Sequence, residues 1–409
     1  MEKSQSPAPL SPDEQARLAP AAFTTLPVQI NQHDQEARKT SSRYVQAWRV
    51  ASQQSSSSNR PTVSWETLGS SSPVGHLASL VYPDCRLELL VFLAKVFDYA
   101  QIHHEIVQPV KTGPGEILST PESNPHLEAT LEPEAADTLA AILSPNPAYK
   151  RLQLSLASEL MEVYEDTLQS ALDSASVAVN AFRANARGAC ESTTFDEYVL
   201  RQVDLAKALS STLLLEVDPR PTPAELACAE GVLAPLRVAQ ALALEYFSHL
   251  NVEDYGTGST TGSTSTSSSP SSLPVGSVTL LMAQHSVSKE EALAILRQKV
   301  VAAEEDHGVR FRAFSEDTAV PENVRRYVEM MRLATGGLHV WASCTPRYQR
   351  KVAKAQDVEG SGMRVASREL LSSIWQHLRF GFGFTLLCLG AVLFMHRTLA
   401  PSSGFSFYG

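Results

Sequence analysis

At 409 residues with 43% hydrophobic content, the chain is long enough to bury one large core, and nothing in it calls for alternating strand and helix units. A net charge of −10, with Lys and Arg scattered along the sequence, argues against a nucleic-acid surface. The five cysteines are far apart, odd in number and lack C-x-x-C spacing, so they read as reduced thiols facing the cytosol and suggest no zinc site.

Residues 1–22 are rich in Pro, Ser, Ala and acidic groups, which predicts a tail that buries too little surface to order itself. The opening MEKSQSPAPLSPDEQ has no apolar core and is no secretory signal. Between residues 23 and 50, RYVQAWRV predicts a short helix that docks Tyr44, Trp48 and Val50 on a core. The polar stretch 52–73 reads as a surface loop.

Pro83 and Asp84 signal the start of the main element, a long helix over Leu87 to Val110. Leu90, Phe92, Leu93, Val96, Phe97, Ala100, Ile102 and Ile106 recur there at helical spacing. Asp98 and Glu105 fall two turns apart on nearly the same stripe. They belong either to the wet edge of that stripe or to a metal or acid-base site in a helix-lined pocket.

Residues 111–147, dense in Pro and Glu, form a long loop for which disorder is the expectation. Helices then dominate: one or two between Tyr149 and Gly188, another over Phe195 to Val217, and another over Ala224 to Leu250 that Pro235 should kink. The Gly, Ser and Thr run at 256–277 is a linker without means of packing. Helices resume at Val278, with a capping box of Ser288 and Glu291, and continue to the Thr345–Tyr348 region. No strand-period segment of any strength appears, so the core is all-α.

The far end is a different physical object. Residues 350–378 carry basic groups, among them Lys351, Lys354, Arg364 and Arg368, and the uncharged run FGFGFTLLCLGAVLFM follows within 379–397. At about 1.5 Å per residue that run reaches about 24 Å, a little short of the roughly 27 Å hydrocarbon core of an endoplasmic reticulum bilayer. Trp375, Arg379, His396 and Arg397 extend it by snorkelling, which predicts a C-terminal membrane anchor with the preceding domain in the cytosol.

Taken in order, LPVQINQHDQEARKTSSRYVQAW, GHLASLVYPDCRLELLVFLAKVFDYAQIHHE, FDEYVLRQVDLA, APLRVAQALALEYFS, VTLLMAQHSVSKEEALAIL and GGLHVWASCTPRY resemble the class I terpene cyclase domain of fungal di- and sesterterpene synthases. The resemblance covers most of 23–349, and WASCTPRY is its most specific piece. It implies a class I terpene synthase helical bundle, here with a C-terminal transmembrane helix in the place of the prenyltransferase half, so that chain elongation falls to a separate prenyltransferase.

In that family, Mg²⁺ ions and basic side chains draw diphosphate off a polyprenyl chain, and the cation cyclises in an apolar helical pocket. Carried over residue by residue, the aspartate-rich motif falls on His104, Glu105 and Gln108, where only Glu105 keeps a hard ligand. The second metal motif falls on LEYFSHLNV: Glu245 and Ser248 stand as ligands, whereas Leu244, Asn251 and Val252 depart from the pattern. Arg201 matches the diphosphate-sensing arginine, and Arg347 with Tyr348 matches the terminal diphosphate-binding pair.

The resemblance therefore implies a non-standard terpene cyclase acting on a polyprenyl diphosphate or an already modified terpenoid, with His104 and Glu105 as proton-transfer residues. The other reading is a catalytically inactive scaffold or prenyl-binding protein at the membrane among pathway enzymes.

Overall fold

The computed structural model describes residues 9–55, 69–107, 194–250 and 276–348, together with a few positions within 152–163. Among them lie the helices α1 (Pro12–Leu18), α2 (Asp34–Ser55), α3 (Leu77–Val81), α4 (Leu87–Val107), α5 (Phe195–Leu213), α6 (Pro223–Leu250), α7 (Ser277–His285), α8 (Lys289–Glu316) and α9 (Glu322–Cys344). The described residues form no strand, and Ser71 and His76 make an isolated bridge.

The long helices carry the core. Leu89, Leu90, Phe92, Val96, Phe97 and Ile102 of α4 are buried, and each such side chain contributes about 1.5–3 kcal/mol on leaving water. α4 packs along α2 and α3, whereas α6 packs along α5, α8 and α9. By length and composition α6 would span a membrane, yet most of it is buried in the molecule, as befits a core helix. Its Pro235 has no N–H for the carbonyl of Gly231, and Arg310 Nη1 donates to that oxygen instead at 3.3 Å. His307 Nδ1 donates to the next carbonyl, Val232, at 2.8 Å. The proline thus stays inside one continuous helix because α8 serves the groups it displaces.

Residues 9–22 are ordered, against the expectation of a tail. Ser11 and Glu14 close a capping box on α1, Leu10 N donates to Val28 O at 2.7 Å, and Ala19 is buried. The segment after α1 is held by long-range bonds: Thr24 Oγ1 and Thr25 N donate to Glu304 of α8 at 2.7 and 2.8 Å, and Phe23 N donates to His339 Nε2 of α9 at 3.2 Å. Composition misjudged this stretch because its partners are supplied by helices some three hundred residues away.

The polar stretch 52–73 departs from a loop at its two described ends. α2 runs on to Ser55, and at the other end Ser70 is fully buried, its carbonyl accepting from Trp341 Nε1 at 2.8 Å. Asp98 explains why that end is ordered. It lies neither at a wet edge nor on the surface: it is fully buried, and its Oδ1 accepts from Ser70 N at 2.7 Å. The main helix begins at Leu87, after the separate short helix α3 whose N-cap is His76, and residues 108–110 lie outside the described ones. The expected loop at 111–147, Gly188 and the C-terminal segments likewise lie outside the described residues.

His339 provides a test of the segment it anchors. Burial lowers its pKa from the ordinary 6.5 to about 3, with Arg297 adding to the effect, while Glu304 Oε1 sits 3.8 Å from Nδ1. The unfolded chain takes up this proton first, so the contribution is intact above 6.5 and falls as pH drops toward about 3. Between pH 7 and pH 5 the loss is expected to be about 2 kcal/mol. Burial pushes Glu304 the other way, so the difference between the parent and His339→Gln in denaturant melts carries the test. Equal pH slopes in the two proteins would refute the assignment.

Candidate functional site

The ends of four elements supply the positions that the resemblance singles out. His104 and Glu105 lie in the last turn of α4, and their side chains fall outside the described residues. Glu245 and Ser248 lie in the last two turns of α6. Arg201 is half-buried on α5, three residues after Tyr198, so the two share a face. Arg347 and Tyr348 follow directly after α9, where the chain turns at Thr345 and buries both.

Glu245 is the centre of this end. It is 1% exposed, and both carboxylate oxygens are engaged: Tyr198 Oη donates to Oε1 at 2.6 Å and Ser277 Oγ to Oε2 at 2.7 Å. His249, one turn on, places Nε2 3.6 Å from Oε2. Burial alone would push the Glu245 carboxyl up, but His249, Tyr198 and Ser277 outweigh it and hold the carboxyl below its ordinary value. Tyr348 stands close enough for the Glu245 charge to help raise its phenol, after burial, while Arg347 pulls it down. The ring of Tyr348 meets Trp341 edge-on, with centroids 5.9 Å apart.

The fold therefore gathers Glu245, Ser248, Arg347 and Tyr348 at one end of the bundle, with the Arg201 face of α5 joined to it through Tyr198. Sequence reasoning missed Tyr198, Ser277 and His249 as partners. His249 was legible as the residue four after Glu245. Ser277 was not: assigned to a linker, it is fully buried at the start of α7.

As a Mg²⁺ site this end fits poorly. Magnesium requires near-octahedral hard oxygens, and the carboxylate that the resemblance offers, Glu245, already accepts two hydroxyl protons in a sealed environment. Ser248 Oγ donates to its own helix at Glu245 O, 2.8 Å away. Among the described residues, no group of three His, Cys, Asp or Glu side chains is disposed to hold a metal ion.

Comparisons with known proteins point one way. No family model matches the chain. Preterpestacin I synthase of Cochliobolus heterostrophus is 23% identical over 83% of this chain and 45% of its own length. A bifunctional terpene synthase of Fusarium proliferatum is 24% identical over 82% of this chain and 42% of its own. The chain thus spans less than half the length of these relatives. Sesterfisherol synthase of Neosartorya fischeri is 36% identical over 15% of the chain.

Among solved structures, aristolochene synthase from Penicillium roqueforti superposes with a TM-score of 0.51 at 10% identity, covering 79% of this chain and 99% of that one. Hedycaryol synthase in complex with HEPES does so with a TM-score of 0.50 at 16% identity, covering 78% of this chain and 96% of that one. In sequence the chain resembles fungal terpene synthases over most of its length, and its helical bundle has the fold of the class I terpene cyclases.

Proposed function

We propose that the chain is a non-standard terpene cyclase, which takes a polyprenyl diphosphate or an already modified terpenoid into its helical bundle. The observation that carries this reading is the burial of Arg347 and Tyr348 beside the end of α6, where a guanidinium and a phenol suit an anionic leaving group. Arg201 joins them from α5, and His104 with Glu105 at the end of α4 would move protons. Magnesium enters the proposal only through Glu105 and is not assigned to Glu245.

The test is turnover of geranyl, farnesyl, geranylgeranyl and geranylfarnesyl diphosphates by the full chain, with Mg²⁺ and with EDTA, read as hydrocarbons and alcohols by mass spectrometry. Product is expected, and Arg347→Ala should lower its rate by about a hundredfold or more. An unchanged rate in Arg347→Ala would remove the diphosphate assignment. A second reading, a terpene-synthase-like scaffold or prenyl-binding protein without activity, draws support from the sealed carboxylate of Glu245. Absence of product from every substrate would favour it.

For the apolar run within 379–397 we keep the proposal of an anchor in the endoplasmic reticulum membrane, with the cyclase domain facing the cytosol. The full chain is expected in the membrane fraction of an expressing cell and a version ending at residue 378 in the soluble fraction. Identical partition of the two would dismiss the anchor.

A further inference from the structure

Glutamine is seldom fully buried, and a buried amide without a hydrogen-bond partner is unfavourable. The bundle nevertheless buries Gln101 on α4 and Gln202 on α5 at 1% exposure each, and Gln240 on α6 at 3%. Among the described residues, neither amide atom of Gln101 or Gln202 has a partner, nor has Oε1 of Gln240. Gln240 Nε2 donates to Thr335 Oγ1 of α9 at 3.0 Å, so its orientation is fixed with the oxygen left over.

Their positions are not scattered. Gln101 precedes His104 and Glu105 by three and four residues, so it lies one turn inward on the same face of α4. That face also carries Phe97, which packs with Tyr82, whose hydroxyl meets Thr212 of α5. Gln202 lies on the stripe of α5 between Tyr198, bonded to Glu245 of α6, and Ser210, whose carbonyl accepts from Tyr327 of α9. It is thereby held on the inward side of α5, against α6 and α9. Gln240 stands four residues before Leu244, one turn inward from the second motif. On three different helices, a buried amide lies within about one turn of a position that the resemblance singles out.

We propose that these amides recognise an oxygen function on the substrate, a hydroxyl or carbonyl carried on an otherwise apolar terpenoid. A primary amide offers both a donor and an acceptor, which matches a hydroxyl from either side and a carbonyl through its N–H. A wholly hydrocarbon chain would leave the amides of Gln101 and Gln202 and the oxygen of Gln240 desolvated and unpaired. The inference rests on the terpenoid reading above and narrows it to the functionalised substrate class.

Farnesol and β-farnesene, and geraniol and myrcene, are pairs with the same number of carbons, with and without the hydroxyl. Binding of all four to the full chain is measured by tryptophan fluorescence, and melting temperature is recorded without ligand. The parent should bind an alcohol at least tenfold more tightly than its hydrocarbon partner. Gln101→Met and Gln202→Met, close in length and apolar, should erase that preference while the free protein melts no lower than the parent.

Equal binding of alcohol and hydrocarbon would overturn the proposal and leave the terpenoid reading standing. Binding of none of the four would overturn both. A lower melting temperature in both variants would show that the amides are bonded within the chain, and that too would overturn it.

Discussion

Gly337→Ala is expected to destabilise the chain by about 3 kcal/mol or more, a large share of the roughly 5–15 kcal/mol by which domains are stable. A Cβ at Gly337 would stand 2.1 Å from Leu80 O and 2.7 Å from its carbonyl carbon, and one at the preceding Gly336 would stand 2.4 Å from Pro27 O. These are backbone atoms, and no side chain can swing aside to make room. α3 and the segment around Pro27 would have to lift away from α9 and take with them the buried Leu80, Val81 and Val28.

Gly231→Ala is the control. Its Cβ would meet nothing within 4 Å, and within α6 alanine should stabilise by about 0.5–1 kcal/mol. Urea melts of the two variants should move in opposite directions. Gly337→Ala melting like the parent would mean that α9 and α3 do not lie as close as described.

The second large effect is at Glu245. Glu245→Ala leaves the hydroxyls of Tyr198 and Ser277 buried and unpartnered, and should cost about 3–5 kcal/mol. The sign with pH follows from its depressed carboxyl. The contribution is present above the ordinary 4.5 and is lost as pH falls through the lower value of the folded state. Parent and Glu245→Gln, melted in denaturant at pH 6 and pH 3, should differ in how much stability they lose, the parent losing more. Parallel losses would show that the carboxylate is not held ionised by its neighbours.

How far the sequence reveals this architecture depends on where each signal resides. The capping box of Ser288 and Glu291 is local, and it is formed as read. So is the helical spacing of α4, whose apolar face is buried from Leu89 to Ile102. Pro235 was legible as a disturbance, but the groups that absorb it, Arg310 and His307, sit on another helix.

The failures have one cause. The described parts of 1–22, 52–73 and 256–277 were judged by what each can bury by itself, whereas Ala19, Ser70 and Ser277 within them are buried by what other elements bring to them. At the candidate site the resemblance singled out Glu245, Arg347 and Tyr348. It carried no information on Tyr198 and Ser277, because a hydroxyl partner has no spacing rule across separate helices.

The paired glycines of α9 have a consequence for how the chain is made. The ribosome releases the segment around Phe23 and Pro27 first, yet its seat consists of Gly336, His339 and Glu304. At about 5–20 residues per second, some 15–60 s separate the emergence of guest and host. During that interval Leu26 and Val28, both buried in the finished molecule, have nowhere to go. Closure at this seam has to wait for α8 and α9, and the early exposure of the segment suits it to engagement by chaperones.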